Sequence, residues 1–98
     1  MSINEPPPFQ IRLRSRRVQR QLDSLQETDY QRVVSKLKTL RHDPKPHGSE
    51  KLSDDIFRVR VGNIRIIYCV DAENSRIEVG AIRRRSKSTY KGIDDLFG

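Results

Sequence analysis

Arg58, Arg60 and Arg65 stand within eight residues of one another in "FRVRVGNIR", and Arg84 follows in "RRRSKSTY", six residues before Tyr90. A guanidinium group keeps its charge at any physiological pH and presents a planar fork of donors that matches phosphate. Several of them aimed at one point can hold a phosphodiester and stabilise the negative charge its oxygens gather in a transition state. A phenol such as Tyr90 can exchange a proton, stack on a base, or pack as an apolar anchor with a polar tip. Whether these groups converge depends on the elements that carry them.

The Gly62-Asn63 pair reads as a two-residue hairpin turn with glycine in first place. That turn sets Val61 opposite Ile64, Val59 opposite Ile66 and Phe57 opposite Tyr68, which makes one face of the hairpin apolar. The other face holds Arg60 opposite Arg65 and Arg58 opposite Ile67. A second hairpin closes around "AENS" and sets Asp71 opposite Arg76. Continued without interruption, it sets Tyr68 opposite Val79, Ile66 opposite Ala81, Ile67 opposite Gly80 and Arg65 opposite Ile82. The two hairpins agree on a core face. Arg58, Arg60, Arg65 and Arg84 are then expected together on the opposite, exposed face, with Arg83 turned toward the edge of the core face. Like charges facing each other weaken a strand pair. One or two such arginines can simply splay their heads into water. Four converging ones point to a surface that docks phosphate, with Gly80 leaving its floor open.

The three strands are expected over Ile56–Val61, Ile64–Asp71 and Arg76–Arg84. Upstream, "FQIRLR" alternates apolar and polar residues as a half-buried strand does. Ser15 can cap a first helix carrying Val18, Leu22 and Leu25 at helical spacing. Thr28 or Asp29 can cap a second, with Tyr30, Val33, Val34, Leu37 and Leu40 along one stripe. "HDPKPHG" ends it. These elements predict an α+β fold: an antiparallel sheet of about four strands with a two-helix hairpin packed on one face. Residues 1–8, with three consecutive prolines, read as an extended tail, and residues 9–98 as a single domain.

Composition narrows the partners. The 98-residue chain carries 20 basic and 13 acidic residues, a net charge of +7, and 14 of its basic residues are arginines. An arginine-biased basic domain suits a polyanion, nucleic acid first. Arg83, Arg85 and Lys87 extend the basic C-terminal run as candidate RNA contacts, and Arg12, Arg14, Arg16, Arg17 and Arg20 add to the basic surface. Ser86, Ser88 and Thr89 are turn hydroxyls within reach of phosphate or solvent. A single cysteine, Cys69, excludes an internal disulfide, and no metal-ligand motif is present, since His42 and His47 sit in a proline-rich loop. Neither a signal peptide nor an apolar run of membrane-spanning length is seen, so a soluble, cytoplasmic protein is expected. No cofactor is called for.

The order strand–helix–helix–three strands, with "KLSDDIFRVRVGNIRIIYCVD" after the helices, resembles the RelE/ParE superfamily of toxins. Members often carry a run of the form KL…(Y/F)R(V/L)RVG(N/D)YR(I/V)(I/V)Y. Lys51-Leu52, Phe57 to Gly62 and Arg65 to Tyr68 match it, and the likeness covers about residues 9–91. The spacing from Arg84 to Tyr90 resembles that of RelE. The resemblance implies a metal-independent endoribonuclease, an mRNA interferase that cuts translated mRNA in the ribosomal A site. It implies catalytic roles for Arg58, Arg60, Arg65, Arg84 and Tyr90. It also implies partners: the ribosome with its mRNA and rRNA, and an acidic RelB-like antitoxin, with which the toxin can form a heterotetramer. RelE has lysines at the positions of Arg58 and Arg60. A lysine can be driven neutral and serve as a base, whereas an arginine cannot. The general base is then Tyr90, a ribosomal group, or the substrate itself. Two other functions fit the same fold: a ParE-like inhibitor of DNA gyrase, and a non-catalytic module that binds RNA or a partner.

Overall fold

The computed structural model describes residues 8–84. The predicted tail, apart from Pro8, and the candidate residues Arg85, Lys87 and Tyr90 lie outside the described residues. The elements run β1 (Gln10–Leu13), α1 (Arg16–Asp23), α2 (Glu27–Leu40), β2 (Glu50–Lys51), β3 (Ile56–Val61), β4 (Ile64–Asp71) and β5 (Arg76–Arg84). They form one five-stranded sheet in the order β1-β5-β4-β3-β2, with both helices on one face. The sheet is mixed. β1 lies parallel to β5, and the other three pairs are antiparallel.

The expected antiparallel, roughly four-stranded sheet is thus corrected in two respects, strand number and the direction of one pair. β2 is two exposed residues without apolar alternation, so no hydrophobic pattern marks it. β1 pairs parallel because the chain climbs from β1 into two helices before entering the sheet again. In that register Ile11 faces Ile77 and Leu13 faces Val79, so both strands point their apolar residues at the helices.

Local chemistry sets the helix ends. Ser15 holds the expected N-cap position of α1 in an extended conformation, but its side chain makes no capping bond. The first turn closes instead through the backbone, Gln19 N–H to the Ser15 carbonyl. α2 begins at Glu27 with Gln26 as its N-cap, ahead of the expected Thr28 or Asp29. Glu27 and Asp29 then lie in the first turn, where carboxylates offset the positive end of the helix dipole. At its far end, Arg41 and Phe9 exchange bonds: Phe9 N–H donates to the Arg41 carbonyl, and Arg41 Nε to the Phe9 carbonyl. That exchange fastens the end of α2 to the start of β1.

The core lies between helices and sheet. Val18 and Leu22 of α1 and Val33, Leu37 and Leu40 of α2 pack on Phe57, Val59, Ile64, Ile66, Tyr68, Ile77, Val79 and Ile82. Tyr68 is fully buried, and its hydroxyl donates to the Pro44 carbonyl at 2.6 Å. Its ring stacks near Phe57, over which the Lys45 ammonium sits 5.2 Å from the ring centre. The "HDPKPHG" loop is thereby pinned to the core by one buried hydrogen bond and one cation–π contact.

The first hairpin has the register read from its turn, down to Arg60 opposite Arg65. Gly62 takes a φ of +60°, a conformation other residues rarely adopt, as the first position of such a turn demands. The second hairpin departs from expectation. It matches from Asp71 opposite Arg76 through Tyr68 opposite Val79, and then a bulge intervenes. Gly80 is the extra residue, and beyond it Ile67 faces Ala81, Ile66 faces Ile82, Arg65 faces Arg83 and Ile64 faces Arg84. Without the bulge the core would receive Ala81 and the open face Ile82. With it Ile82 packs in the core beneath the helices, and the smaller Ala81 takes the buried place beside Ile67 on the other face. The Ile82 N–H finds a partner in the Gln21 side-chain carbonyl of α1, 2.9 Å away, so α1 helps to hold the shifted register.

Burial, and next the nearby Asp43 charge, push the Tyr68 pKa up to about 12. The folded state therefore favours the neutral phenol, and the unfolded chain ionises first as pH rises. Stability from this group is complete below about pH 10 and is lost as pH rises through about 12, a loss of roughly 2–3 kcal/mol. Melting curves of wild type and Tyr68→Phe between pH 8 and about 12 are expected to meet at about pH 11 and then cross, because the phenylalanine has no phenol to ionise. At neutral pH the variant is expected to be less stable by about 1–2 kcal/mol, because the Pro44 carbonyl loses its donor.

Candidate nucleic-acid interface

β-Strand pleating divides the sheet residues between two faces. The face away from the helices carries Arg58 and Arg60 of β3, Arg65, Ile67 and Cys69 of β4, and Ala81 and Arg83 of β5. At the end near the Gly62-Asn63 turn, Arg60, Arg65 and Arg83 stand directly opposite one another in a single row across three strands. The next row is Arg58, Ile67 and Ala81, and all three are buried.

The four arginines read from sequence do not all end on this face. Arg58, Arg60 and Arg65 do. Arg84 does not, and this corrects the expectation: the Gly80 bulge turns it to the helix side, opposite Ile64, with a guanidinium nitrogen 3.6 Å from an Asp29 carboxylate oxygen. Arg83, expected at the core-face edge, takes the place in the row instead. An extra residue in one strand exchanges the two faces, and a periodicity of two read through a bulge assigns every later residue to the wrong side. The glycine at position 80 was the available signal, since glycine inside a strand marks bulges.

The row is not uniformly exposed. Arg60 is exposed and Arg83 half-buried, and neither has a carboxylate partner among the described residues. Arg65, expected to be exposed, is only 5% accessible. Its Nη1 donates to the Gly62 carbonyl at 3.3 Å and lies 3.5 Å from that of Ile64, so the turn backbone orients the guanidinium between its two charged neighbours. Carbonyl dipoles offset part of its charge without removing it.

Arg58 is 7% accessible, and its guanidinium donates to the carboxylate of Glu50 on the neighbouring strand β2. Glu50 faces Arg58 in the β2–β3 register and is itself about half exposed. This carboxylate, held beside the arginine row by an arginine, was missed in the sequence. Only a register between β3 and a two-residue strand reveals it, and no apolar pattern announces that strand.

The opposite end of the same face is different in charge. A cavity of about 550 Å³ there is bordered by Asp55, Asp71, Glu73 and Glu78 along with Arg14 and Lys45. Arg14 is committed to Glu78 at 2.8 Å. Asp71 accepts bonds from the Asn74 side chain and backbone, which hold its pKa below the usual carboxylate value. Cys69 lies at this end, half-buried. Burial, and then the surrounding carboxylates, push its thiol pKa up, so it is a poor nucleophile. His42 and His47 are exposed in their loop, and the described residues hold no cluster of His, Cys, Asp and Glu suited to a metal ion. No described helix is long and apolar enough to cross a membrane.

The fold is shared with solved toxins. It matches an archaeal RelE–RelB complex from Pyrococcus horikoshii with a TM-score of 0.71 at 22% identity, covering 82% of this chain and 98% of that one. A toxin–antitoxin complex, RelBE2, from Mycobacterium tuberculosis matches with a TM-score of 0.68 at 22% identity, over 80% and 99% of the two chains. The isolated Escherichia coli RelE toxin matches with a TM-score of 0.70 at 15% identity, over 90% and 98%. Among curated proteins no relative matches. Residues 13–89 match the family described as the ParE toxin of the type II toxin–antitoxin system parDE. With that match spanning most of its length, the chain belongs to the ParE toxin family, within the RelE/ParE superfamily, and is a toxin of the type II toxin–antitoxin class.

Proposed function

We propose that this toxin is a ribosome-dependent mRNA endonuclease that cuts translated mRNA in the A site. The observation that carries this reading is the row Arg60–Arg65–Arg83 at the hairpin tip. Three guanidinium groups facing one another repel. A phosphodiester between them converts that repulsion into binding, and the doubly charged phosphorane formed on cleavage converts it into transition-state stabilisation.

In the proposed reaction the ribose 2′-hydroxyl attacks the adjacent phosphorus, the bond to the 5′ oxygen breaks, and a 2′,3′-cyclic phosphate and a 5′-hydroxyl result. Arg65, oriented by the turn carbonyls, receives one phosphoryl oxygen, and Arg60 and Arg83 flank it. Glu50 is the proposed acceptor of the 2′-hydroxyl proton. It is a carboxylate beside the row, half exposed and held by the Arg58 guanidinium. The departing 5′ oxygen takes its proton from a second group; Tyr90, read from the sequence as a candidate base, is proposed in this role instead. Arg58, largely buried and engaged with Glu50, is assigned to positioning that carboxylate. Arg85 and Lys87 are proposed RNA contacts on sequence grounds alone. A cognate acidic antitoxin is proposed to silence the toxin by covering the basic tip. The P. horikoshii structure is a RelE–RelB complex and the M. tuberculosis structure a toxin–antitoxin complex, RelBE2, which supports an antitoxin partner.

The match to the ParE toxin family supports a second reading, the inhibition of DNA gyrase that the sequence resemblance left open. Primer extension on translated mRNA after expression of the toxin separates the two. Cuts at in-frame codon positions are expected; intact mRNA with DNA damage would establish the gyrase reading, and neither would leave a binding module.

Variants test the assignment residue by residue. On programmed ribosomes Arg60→Ala and Arg83→Ala are each expected to slow cleavage about 100-fold, the usual loss for one preorganised donor. Their melting temperatures should stay near wild type, since neither side chain belongs to the core. Arg84→Ala is expected to cleave within a few-fold of wild type. If Arg84→Ala fails and Arg83→Ala cuts normally, the register argument is lost.

Glu50→Gln is expected to bind RNA as well as wild type, yet to cleave roughly 10²–10⁴ times more slowly. Normal cleavage by Glu50→Gln would return the base to the ribosome or the substrate.

A further inference from the structure

Gly62 and Val61 border a second basic surface, on the helix side of the same hairpin tip. Arg32 and Lys36, one helical turn apart on α2, line a groove of about 420 Å³ with Gln31, Ser35, Thr39 and Val61. Among the described residues, no acidic one lines it. Neither Arg32 nor Lys36 has an ion-pair partner among the described residues. The Arg32 guanidinium reaches the turn itself: a methyl group placed on Gly62 would lie 3.6 Å from its Nη1. Strand pleating sends Arg60 to the open face and Val61 to the groove, so the two basic surfaces meet across a single turn.

We propose that this α2 groove is a second RNA-backbone site, holding phosphates of an RNA strand by Arg32 and Lys36. The Ser35 hydroxyl and the second side-chain N–H of Gln31, whose first donates to Glu27, are neutral donors of the kind that contact phosphate and ribose without reading sequence, while the Thr39 hydroxyl donates to the Ser35 carbonyl. Two features select RNA over an acidic protein segment as the occupant. The floor offers Val61 as its single apolar side chain, which gives a peptide little to bury. The groove is also continuous, through the Gly62 turn, with the arginine row. The proposal rests on the nucleic-acid reading of that row, but not on cleavage.

The test uses the full-length toxin and a labelled 12-nucleotide single-stranded RNA of mixed sequence, with anisotropy titrations from about 50 to 300 mM salt. Arg32→Gln combined with Lys36→Gln is expected to weaken binding about tenfold at the low-salt end. The slope of log K against log salt should fall by about 1.4, or 0.7 for each lost contact. A control pair, Arg20→Gln with Lys38→Gln, removes the same charge from exposed helix positions outside the groove and should leave the slope unchanged. Circular dichroism checks that both variants fold, as expected for exposed or half-exposed helix residues. An unchanged slope in the groove variant, or an equal loss in the control, would overturn the proposal. So would loss of affinity for the antitoxin with RNA binding intact, which would make the groove a protein site. If the groove variant loses RNA affinity while wild type proves unable to cut mRNA, the groove stands and the nuclease reading falls.

Discussion

The pairing of β3 with β4 through Gly62-Asn63 is the constraint on which the rest of the molecule depends. A two-residue turn leaves no slack in register, and a slip by one residue would exchange the faces of the hairpin. Phe57, Val59, Ile66 and Tyr68 would then leave the helices, and Arg58, Arg60 and Arg65 would enter the core. The cost of burying unpaired guanidinium groups is many times the few kcal/mol by which a domain of this size is stable. The register that builds the core is therefore also the one that aligns the arginines, and folding cannot deliver the first without the second.

Aligned charges have to be tolerated, and the molecule does so unevenly. Arg58 meets Glu50, Arg65 meets the carbonyls of its own turn, and the exposed Arg60 and half-buried Arg83 have no carboxylate partner among the described residues. The compensated groups are the buried ones, as desolvation requires. The uncompensated ones lie where a ligand can reach them. Glu50 belongs to a strand of two residues whose role in the sheet is slight, since it covers only the Phe57–Arg58 stretch of β3. What the strand contributes is the Glu50 carboxylate, placed against the Arg58 guanidinium.

Much of this was legible in the sequence, because the hydrophobic pattern and the turn chemistry agreed. Three strand ranges, Ile56–Val61, Ile64–Asp71 and Arg76–Arg84, follow from alternation bounded by turn residues. So does the helical stripe of Val33, Leu37 and Leu40. Three features were not legible. The direction of β1 depends on where two helices return the chain, which no local pattern records. β2 has no apolar residues to reveal it. The bulge at Gly80 is favoured by a tertiary comparison, Ile82 against Ala81 in the core, supported by Gln21 of a distant helix. That last feature moved a site residue, replacing Arg84 with Arg83, so the least visible element of the fold is the one that most alters the chemistry.

The charges of the open face are sorted by end: arginines at the hairpin tip, and Asp55, Asp71, Glu73 and Glu78 around the cavity at the other. Such a distribution gives the sheet an electric dipole along its strands in addition to its net positive charge. In the field of a polyanion a dipole feels a torque as well as a pull, and the field of nucleic acid extends over about a Debye length, ~10 Å at 0.1 M salt. On the proposed nucleic-acid reading, the molecule is turned tip-first before any contact forms, so fewer encounters are spent on the wrong orientation. Raising the salt shortens that reach and slows productive encounter before it weakens the close contacts in the row.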